Sequence, residues 1–501
     1  MAGKFLKFFS PFVKALPEVK QPQREVSFRE KFIWTALVLI IYLILSNIPL
    51  YGVSVEESTD YFYWLRVILA SQRGTLTELG IGPIVTSGLI MQLLLGSRII
   101  NVNMADPYDR AMFSGAQKVL AVFLTIFNSV AYILGGAFGP LYEIGIGGAF
   151  LIFFQLLFAG IIIILLDELL QKGWGLGSGV SLFIAAGVAG QVFWNTFSFV
   201  PTPLAADGGD GLPRGVIVAF FTALFDSNPN NIEQLGGLIW RFGTYPSLVG
   251  ILTTTLILFI VVWFESTRVE IPLAYRGTRG FKGKYPMKLL YVSNIPVILV
   301  NALYANFLFF GQLLAGPESG LRVTNGGLIP DFWVNLIGIF RVEQGTGPVA
   351  GTQLVPIGGL IYYFTPPLGP LEVIGDPVRA IIYLVVFIVL CILLGRVWVE
   401  VSGLAPRDIA GQIIDSKMHV PGFRSSSKII ERILKRYIPT LVILNGIIIA
   451  CLSFTADSLR ALTSGTGLLI AIGIIHQYGE TIAKELAASQ YPGMRALLGM
   501  D

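Results

Sequence analysis

An all-α polytopic membrane protein is the fold class that the sequence predicts, and three observations support it. The 501 residues are 54% hydrophobic and only 13% charged, which is typical of membrane proteins and not of a soluble domain with one core. The apolar residues are gathered into long stretches, and the loops between them are either basic or weakly charged. A short apolar piece beside one stretch predicts an additional re-entrant helix.

Ten apolar stretches are long enough to cross a hydrocarbon core of roughly 30 Å. Boundaries read from a sequence are accurate only to a few residues, so the stretches are given as approximate ranges. They lie near 32–48, 81–97, 113–134, 149–166, 177–198, 248–264, 289–310, 379–399, 438–455 and 463–479. We therefore expect ten transmembrane helices.

The second apolar segment is interrupted. Tyr61–Ala70 is apolar, but ten helical residues rise only about 15 Å, which is half of the bilayer core. A second piece follows at 78–96 and contains Gly82 and Pro83 near its start. Non-helical backbone at membrane depth is tolerated only where protein buries it or where it lines a watery cavity. The break favours a re-entrant element of a pore or cavity, and a helix on the membrane surface is an equal alternative.

The basic residues of the loops predict the orientation of the chain. Residues 1–31 carry seven Lys and Arg side chains, the loop 265–288 carries six and the loop 395–436 carries eight. The long loops 200–247 and 311–376 carry two each. Because Lys and Arg accumulate in cytoplasmic loops, we expect both termini and the basic loops in the cytoplasm.

The loop 265–288 differs from an ordinary short loop. Val269–Ile271 predicts a strand, and the residues after it predict a hairpin tip in which glycines alternate with basic residues. These basic residues are Arg276, Arg279, Lys282 and Lys284. A projecting basic tip suits phosphate backbones or anionic lipid headgroups. The alternative that these charges only determine topology stays open.

Enzymatic chemistry is weakly represented in the sequence. The closest string to a phosphate-binding loop, GTRGFKGKY, has the wrong glycine spacing, and Tyr285 follows its Lys. Gly175–Gly179 together with His476 permits an intramembrane protease that uses Ser178, but no second polar group clearly orients the histidine. We expect no enzyme activity, no cofactor and no metal site.

The centres of the expected spans are almost free of charge. Asp167, Glu168, Arg379 and Glu480 all lie toward span ends. Ion-coupled transporters usually place charged residues in the middle of the bundle, and ion-selective filters use carbonyl or charged rings. Both classes are therefore disfavoured, and a small-molecule secondary transporter with broken helices is kept as the alternative function.

Seven strings occur in the order that is typical of one membrane-protein family. They are LPEV (16–19), ELGIGPIVTSGLIMQLL (78–94), DRAMFSGAQK (109–118), GSGVSLFI (177–184), YPMKLLYVSNIPVIL (285–299), WVEVSGLAPRDIAGQ (398–412) and GTGLLIAI (465–472). In these strings the chain resembles the SecY family, the large (alpha) subunit of the Sec protein-conducting channel. The resemblance covers almost the whole chain and is closer to the archaeal and eukaryotic branch.

The resemblance implies two inverted, pseudo-symmetric halves of five helices each around an hourglass pore. No internal repeat is obvious in the sequence, so this symmetry rests on the resemblance, although inverted repeats are common in transport folds. The implied divisions are a cytoplasmic segment 1–31, an N-terminal half 32–199, an external linker 200–247, a C-terminal half 248–483 and a cytoplasmic tail 484–501.

The resemblance also assigns the narrowest part of the pore to a ring of aliphatic side chains. The ring residues are Ile81, Val85, Leu176, Val180, Ile298 and Ile470. The first two are four residues apart, as are the next two, so each pair shares a helix face. An apolar constriction tends to lose its water when it is empty and then resists ions.

A plug and a lateral gate are implied by the same resemblance. The plug is the short helix around Asp60–Ser71, with Tyr61, Trp64, Leu65, Arg66, Ile68 and Leu69. The gate lies between spans two and three on one side and spans seven and eight on the other, and its polar cluster is Thr86, Asn128 and Asn306. A signal sequence, which contains an apolar region of about 7–15 residues, would replace helix contacts at this seam.

Basic positions match the ribosome-contacting residues of the family. Arg279 and Arg407 carry this match, and Arg276, Lys282 and Lys284 are neighbours that add to it. Arginine binds phosphate bidentately, so ribosomal RNA is the implied partner. Since an aspartate follows Arg407 directly, an internal ion pair is the alternative for that residue.

The expected function is a passive channel that passes secretory polypeptides across the membrane and releases transmembrane segments into lipid. The driving force would come from a partner such as the ribosome. The resemblance implies two further partners, a SecE-like and a Sec-beta-like small membrane subunit, besides signal sequences, nascent chains and the lipid bilayer. We expect an integral protein of the cell membrane of an archaeon, with the endoplasmic reticulum membrane as the eukaryotic alternative.

Overall fold

The structure is a computed structural model, and it describes most of the chain. The described residues are 4–24, 26–53, 71–97, 99–100, 102, 106–134, 137–138, 141–202, 211–225, 231–241, 245–275, 282–315, 330–344, 352–367, 369–415, 418–419 and 427–490. The expected plug residues Tyr61, Trp64, Leu65, Arg66, Ile68 and Leu69 lie outside these ranges.

Helices dominate the described residues. They are α1 (Lys4–Ala15), α2 (Phe28–Asn47), α3 (Gly82–Gly96), α4 (Pro107–Leu134), α5 (Leu141–Leu169), α6 (Gly179–Phe197), α7 (Val216–Phe225), α8 (Asn231–Ile239), α9 (Leu248–Ser266), α10 (Ile295–Ala315), α11 (Asp331–Ile337), α12 (Leu360–Phe364), α13 (Pro370–Gly375), α14 (Pro377–Val401), α15 (Pro406–Asp415), α16 (Ser427–Ser458) and α17 (Gly465–Gln490). A π-helical turn, Leu170–Trp174, extends α5. The strands are β1 (Arg268–Tyr275), β2 (Lys282–Lys288), β3 (Ile339–Gln344), β4 (Thr352–Gly358) and β5 (Met418–His419).

Each apolar stretch of the sequence falls on a helix. Within the described part of the chain, seven segments are long and apolar enough to cross a membrane: Pro107–Leu134, Ile144–Trp174, Gly179–Phe197, Leu248–Ser266, Ile295–Gln312, Pro377–Asp415 and Lys428–Ser458. Helix α3 has only 15 residues, about 22 Å of rise, and begins with the predicted Gly82–Pro83 pair. The polytopic helical fold is confirmed, and the count of ten spans stays a prediction.

One apolar core joins the helices of the two expected halves. It draws buried residues from α2, α3, α5 and α6 on one side and from α9, α10, α14, α16 and α17 on the other. Tyr42 on α2 stacks on Phe183 on α6 with ring centroids 4.3 Å apart. Phe387 on α14 is fully buried in the same core.

The basic segments come together at one end of the bundle, which we call the basic side. The indole Nε1 of Trp174 donates to the carbonyl of Lys20 at 2.8 Å, and Lys172 pairs with Glu18. The hydrogen bond and positive charge of Lys172 lower the pKa of Glu18 below its ordinary value. At the same end Arg268 lies 3.3 Å from Glu480.

The predicted hairpin is present on the basic side. Strands β1 and β2 pair antiparallel from Arg268↔Lys288 to Ala274↔Lys282, and β5 pairs with the other edge of β1. Lys282 therefore lies in a strand, and the tip at 276–281, with Arg276 and Arg279, is outside the described residues.

The opposite end of the bundle, which we call the far side, carries the long weakly charged loops. There Asn195, near the end of α6, donates to the carbonyl of Leu462 at 2.7 Å. The predicted linker 200–247 contains α7 and α8. Helix α17 continues to Gln490, so the predicted tail 484–501 starts inside a helix.

The two expected halves share one capping arrangement. Asp167 near the end of α5 accepts from the backbone N–H of Val180 at 3.0 Å, in the first turn of α6. Asp457 near the end of α16 accepts from the backbone N–H of Gly465 at 2.7 Å, which starts α17. Each carboxylate satisfies backbone donors that a helix start leaves unpaired.

Candidate functional site

Five of the six predicted ring residues belong to the core that joins the two expected halves or pack against it. Ile81 and Ile470 belong to this core and are 0% exposed, and the partly buried Val85, Val180 and Ile298 contact it. Leu176 is also buried, at 4% exposure, in the turn between α5 and α6. The six side chains come from α3 and its preceding turn, from the α5–α6 region, from α10 and from α17.

Tight turns hold Ile81 at the start of α3. Gly80 adopts φ +54°, a left-handed conformation that glycine accepts without strain. Its N–H donates to the carbonyl of Thr77 at 2.8 Å. The N–H of Val85 donates to the carbonyl of Ile81 at 3.1 Å, so the two ring residues are one helical turn apart.

Side chains from other helices hold the backbone at Leu176. Its N–H donates to Oγ1 of Thr35 on α2 at 2.9 Å. Its carbonyl accepts from the hydroxyl of Tyr478 on α17 at 3.0 Å, and the same hydroxyl lies 3.2 Å from the carbonyl of Ser178. Gly177 between them has φ +68°, and a Cβ there would lie 2.7 Å from that hydroxyl. This turn is therefore bound from two helices that are distant in sequence.

In the C-terminal half, Asn294 binds the backbone beside the ring residues. Its Nδ2 donates to the carbonyl of Leu469, the neighbour of Ile470, at 2.9 Å. Its own carbonyl accepts from the N–H of Ile298 at 3.2 Å in the first turn of α10. A Cβ on Gly473 would lie 1.7 Å from that amide nitrogen, so the close approach requires glycine at this position.

Aliphatic and polar side chains contribute to this site in different ways. Aliphatic groups attract one another without direction, so they cannot determine the position of the ring by themselves. Polar side chains bind the backbone beside the ring and supply that direction. No pattern in the sequence indicates this task for Thr35, Asn294 or Tyr478, and Asp167 stands out only as a charge near a span end.

Two residues of the predicted polar gate cluster are in contact. Nδ2 of Asn306 on α10 donates to Oγ1 of Thr86 on α3 at 3.1 Å, and it also lies 2.6 Å from the carbonyl of Ala302. Asn128 on α4 is half-buried, and its side chain makes no hydrogen bond within the described part of the chain. The structure thus joins two of the three predicted residues.

Aromatic pairs connect α4 with α10 where the third polar residue was expected to act. The rings of Phe127 and Phe310 are 6.2 Å apart, and those of Tyr132 and Phe309 stack at 5.6 Å. Farther along the seam, a Cβ on Gly96 of α3 would lie 2.8 Å from the side chain of Val397 on α14. Aromatic residues on α4 and α10 were visible in the sequence, but one sequence does not reveal which of them meet.

Two of the predicted basic residues, Lys284 and Arg407, are exposed. Lys284 on β2 is exposed and pairs with Glu270 on β1. Arg407 is exposed in the first turn of α15, and no ion pair with Asp408 is present among the described side chains. Arg407 is therefore available on the basic side.

The geometry disfavours the protease alternative. The hydroxyl of Ser178 lies 3.4 Å from Oδ1 of Asp167, so it belongs to the cap of α6. Nδ1 of His476 lies 3.9 Å from Oε1 of Glu480, four residues later on α17. The serine and the histidine have different neighbours, whereas a nucleophile and its base would share a hydrogen bond.

Comparison with known proteins decides the family. The family model described as SecY matches residues 75–479, and the one described as the plug domain of Sec61p matches residues 40–74. The chain belongs to the SecY family. It is similar to protein transport protein Sec61 subunit alpha of Dictyostelium discoideum, with 43% identity over 487 residues, 97% of this chain and 98% of that one.

Solved structures agree with the SecY family. One described as a protein conducting channel matches with a TM-score of 0.75 and 36% identity, covering 96% of this chain and 97% of that chain. Sec61 in the canine ribosome–channel complex from the endoplasmic reticulum matches with a TM-score of 0.72 and 36% identity over the same shares. The chain is therefore an integral membrane subunit of a protein-conducting channel with a plug domain. It is not an enzyme, and the secondary-transporter alternative is not supported.

The seam contact between α3 and α10 makes a measurable prediction. In a double-mutant cycle, Thr86→Val and Asn306→Leu are expected to show a coupling free energy of about 0.6 kcal/mol, because each variant removes the same interhelical hydrogen bond. The measurement is the free energy of unfolding in mixed detergent micelles. Thr86→Val with Asn128→Leu serves as the control and is expected to be additive. Equal coupling in both cycles would contradict the assignment of this bond.

Proposed function

We propose that Ile81, Val85, Leu176, Val180, Ile298 and Ile470 form the constriction through which a polypeptide passes. The observation that carries the proposal is that five of these aliphatic residues, drawn from both expected halves, lie in or against one core, while Leu176 is buried in the turn before α6. Aliphatic side chains adapt to any passing residue without binding it strongly. When the constriction is empty, its apolar lining resists water and ions.

We further propose a plug that blocks the constriction from the far side. We assign it to Tyr61, Trp64, Leu65, Arg66, Ile68 and Leu69, which fall within the matched plug domain at 40–74. The half-length of this segment supports the assignment, because it is too short to cross the bilayer.

The lateral gate is proposed to open along the seam of α3 and α4 against α10 and α14. Among the described residues, one neutral hydrogen bond, two aromatic pairs and the close approach of Gly96 to Val397 join its sides, and no ion pair crosses it. An apolar signal helix would occupy the seam by binding the open state better than the closed state, which is a population shift. Thr86 and Asn306 would be the polar part of the gate, with Asn128 beside them.

The partners follow from the basic side and from the relatives. We propose that Arg276, Arg279, Lys282, Lys284 and Arg407 contact ribosomal RNA, since similar chains have been solved in complexes with ribosomes. A SecE-like and a Sec-beta-like subunit would complete the channel. We propose that both termini and the basic side face the cytoplasm. The cell membrane of an archaeon and the endoplasmic reticulum membrane are the two locations that fit.

Crosslinking from a nascent chain tests the constriction. Stalled ribosome complexes would carry a photoreactive residue in a secretory polypeptide that occupies the reconstituted channel. We expect crosslinks to Ile81, Leu176 and Ile298, because the polypeptide must pass within contact distance of them. Phe259 on α9, which is 66% exposed on the outer surface of the bundle, is the control and is expected to stay unlabelled. Labelling of Phe259 in preference to the three ring residues would refute the constriction.

A charge reversal tests the ribosome contact. Arg279→Glu together with Arg407→Glu is expected to weaken ribosome binding and to flatten the dependence of log affinity on log salt, by roughly one unit for each phosphate that is no longer bound. Titration of ribosomes against proteoliposomes at several salt concentrations measures both quantities. Arg341→Glu on the far-side strand β3 is the matched control. If the double variant and the control bind equally well, the basic residues are not the contact.

A further inference from the structure

Helix α7 has no role in the proposed constriction, plug, gate or ribosome contact. It lies in the linker between α6 and α9, and its sequence VIVAFFTALF contains no charged residue. At ten residues it rises about 15 Å, so it reaches through only half of a hydrocarbon core. A soluble linker would not be expected to carry such a helix.

Helix α7 buries small residues and exposes large apolar ones, which is the opposite of a helix that faces water. Its small residues Ala219 and Ala223 are fully buried in a cluster with other linker residues. Phe220 packs against the same cluster, but three other large residues face outward, with Phe221 50% exposed, Leu224 47% and Phe225 77%. A helix on water turns its polar face outward, so this outward apolar surface requires an apolar occupant.

The base of α7 is fixed at the far-side end of α6. The N–H of Gly215 donates to the carbonyl of Ser198 at 3.0 Å, and the N–H of Arg214 donates to the carbonyl of Val200 at 2.8 Å. A Cβ on Gly215 would lie 2.4 Å from the backbone nitrogen of Ser198, so the two segments touch directly. Helix α7 thus starts where a membrane-crossing helix ends.

The segment between α8 and α9 is hydrogen-bonded to the residues that precede α7. Arg241, which follows α8, is 3% exposed, and its Nη1 donates to the carbonyls of Pro213 and Arg214 at 3.1 Å each. Its guanidinium also lies 5.5 Å from the ring centre of Tyr245. Since these contacts close the base of the linker, the outward aromatic face of α7 is a fixed surface.

The neighbouring surfaces indicate that lipid is the occupant. Leu248, the first residue of α9, contacts the same buried cluster as α7. From Leu252 a stripe of exposed apolar side chains runs along α9, with Leu252 67% and Phe259 66% exposed. At the end of α6, Phe193 is 65% exposed. Helix α7 therefore extends an apolar outer surface of helices that are long enough to cross the bilayer.

The chemistry of the outward face also fits acyl chains better than a protein. Protein interfaces carry about one hydrogen bond per 100–200 Å². The polar side chain of α7, Thr222, already donates its hydroxyl to the carbonyl of Val218 within the helix. The face therefore offers aromatic and aliphatic surface with hardly any hydrogen-bonding capacity.

We propose that α7 is a monotopic anchor whose Phe221, Leu224 and Phe225 bind the acyl chains of the far-side leaflet. The linker joins the two expected halves, and Asn195 of α6 connects it to the loop before α17, since Asn195 accepts from Nε of Arg214 and donates to the carbonyl of Leu462. Opening the halves would therefore move α7 within the leaflet.

Spin-label accessibility tests the anchor in the full chain. Cys391 and Cys451, the free cysteines of the described residues, are replaced by alanine, and single cysteines are introduced as Phe221→Cys and Phe225→Cys. After reconstitution in proteoliposomes, collision with oxygen, which partitions into lipid, is compared with collision with a water-soluble nickel complex. Phe259→Cys on α9 is the lipid-facing control and Asp415→Cys, exposed on the basic side, is the water-facing control.

The expected result is an oxygen-to-nickel collision ratio at both α7 positions close to that of the Phe259→Cys label and well above that of the Asp415→Cys label. A ratio close to that of the Asp415→Cys label would show that α7 faces water. Low collision with both reagents would show that a protein covers it. Either result overturns the proposal. If a phenylalanine variant does not reconstitute, Thr222→Cys, exposed on the same helix, gives the same readout.

Discussion

The arrangement of the whole site depends on hydrogen bonds that buried and half-buried polar side chains make to backbone next to aliphatic residues. Thr35 and Tyr478 bind the backbone of Leu176, Asp167 binds that of Val180, and Asn294 binds the carbonyl before Ile470. Interhelical hydrogen bonds in membranes average about 0.6 kcal/mol, with a maximum near 1.7 kcal/mol. Several such bonds fix one arrangement of the proposed ring, and each is weak enough to exchange if the two expected halves separate.

A few weak contacts also join the two sides of the seam. The hydrogen bond from Asn306 to Thr86 and the aromatic pairs Phe127–Phe310 and Tyr132–Phe309 connect its two sides. An aromatic pair contributes about 0.5–1.5 kcal/mol, so the hydrogen bond and the two aromatic pairs together stabilise the closed seam by a few kcal/mol. A two-state gate needs about 5.5 kcal/mol of differential binding to change from 1:99 to 99:1. An apolar helix that offers its own aromatic and aliphatic contacts to the open seam can supply energy on this scale.

The sequence predicted the parts of this structure that depend on local pattern. Apolar runs placed the helices, strand-forming residues at 269–271 predicted the hairpin, and the family resemblance implied that Thr86 and Asn306 belong to one cluster. It did not predict the polar bonds to the ring backbone. Tyr478 and Leu176 are 302 positions apart, and Asn294 and Leu469 are 175 apart. No local pattern carries such a pairing, because it depends on how distant helices pack. The aromatic contacts between α4 and α10 were missed for the same reason.

The most direct test of the account removes one backbone anchor and leaves every ring side chain in place. Tyr478→Phe deletes only the hydroxyl that binds the carbonyl of Leu176, and Tyr437→Phe, at a tyrosine that is 42% exposed on α16, is the matched control. The measurement is ion conductance of the idle channel reconstituted in planar bilayers. We expect Tyr478→Phe to raise idle conductance above that of the wild-type channel, whereas Tyr437→Phe leaves it unchanged. If Tyr478→Phe conducts as little as the wild-type channel, the polar anchors do not hold the constriction closed.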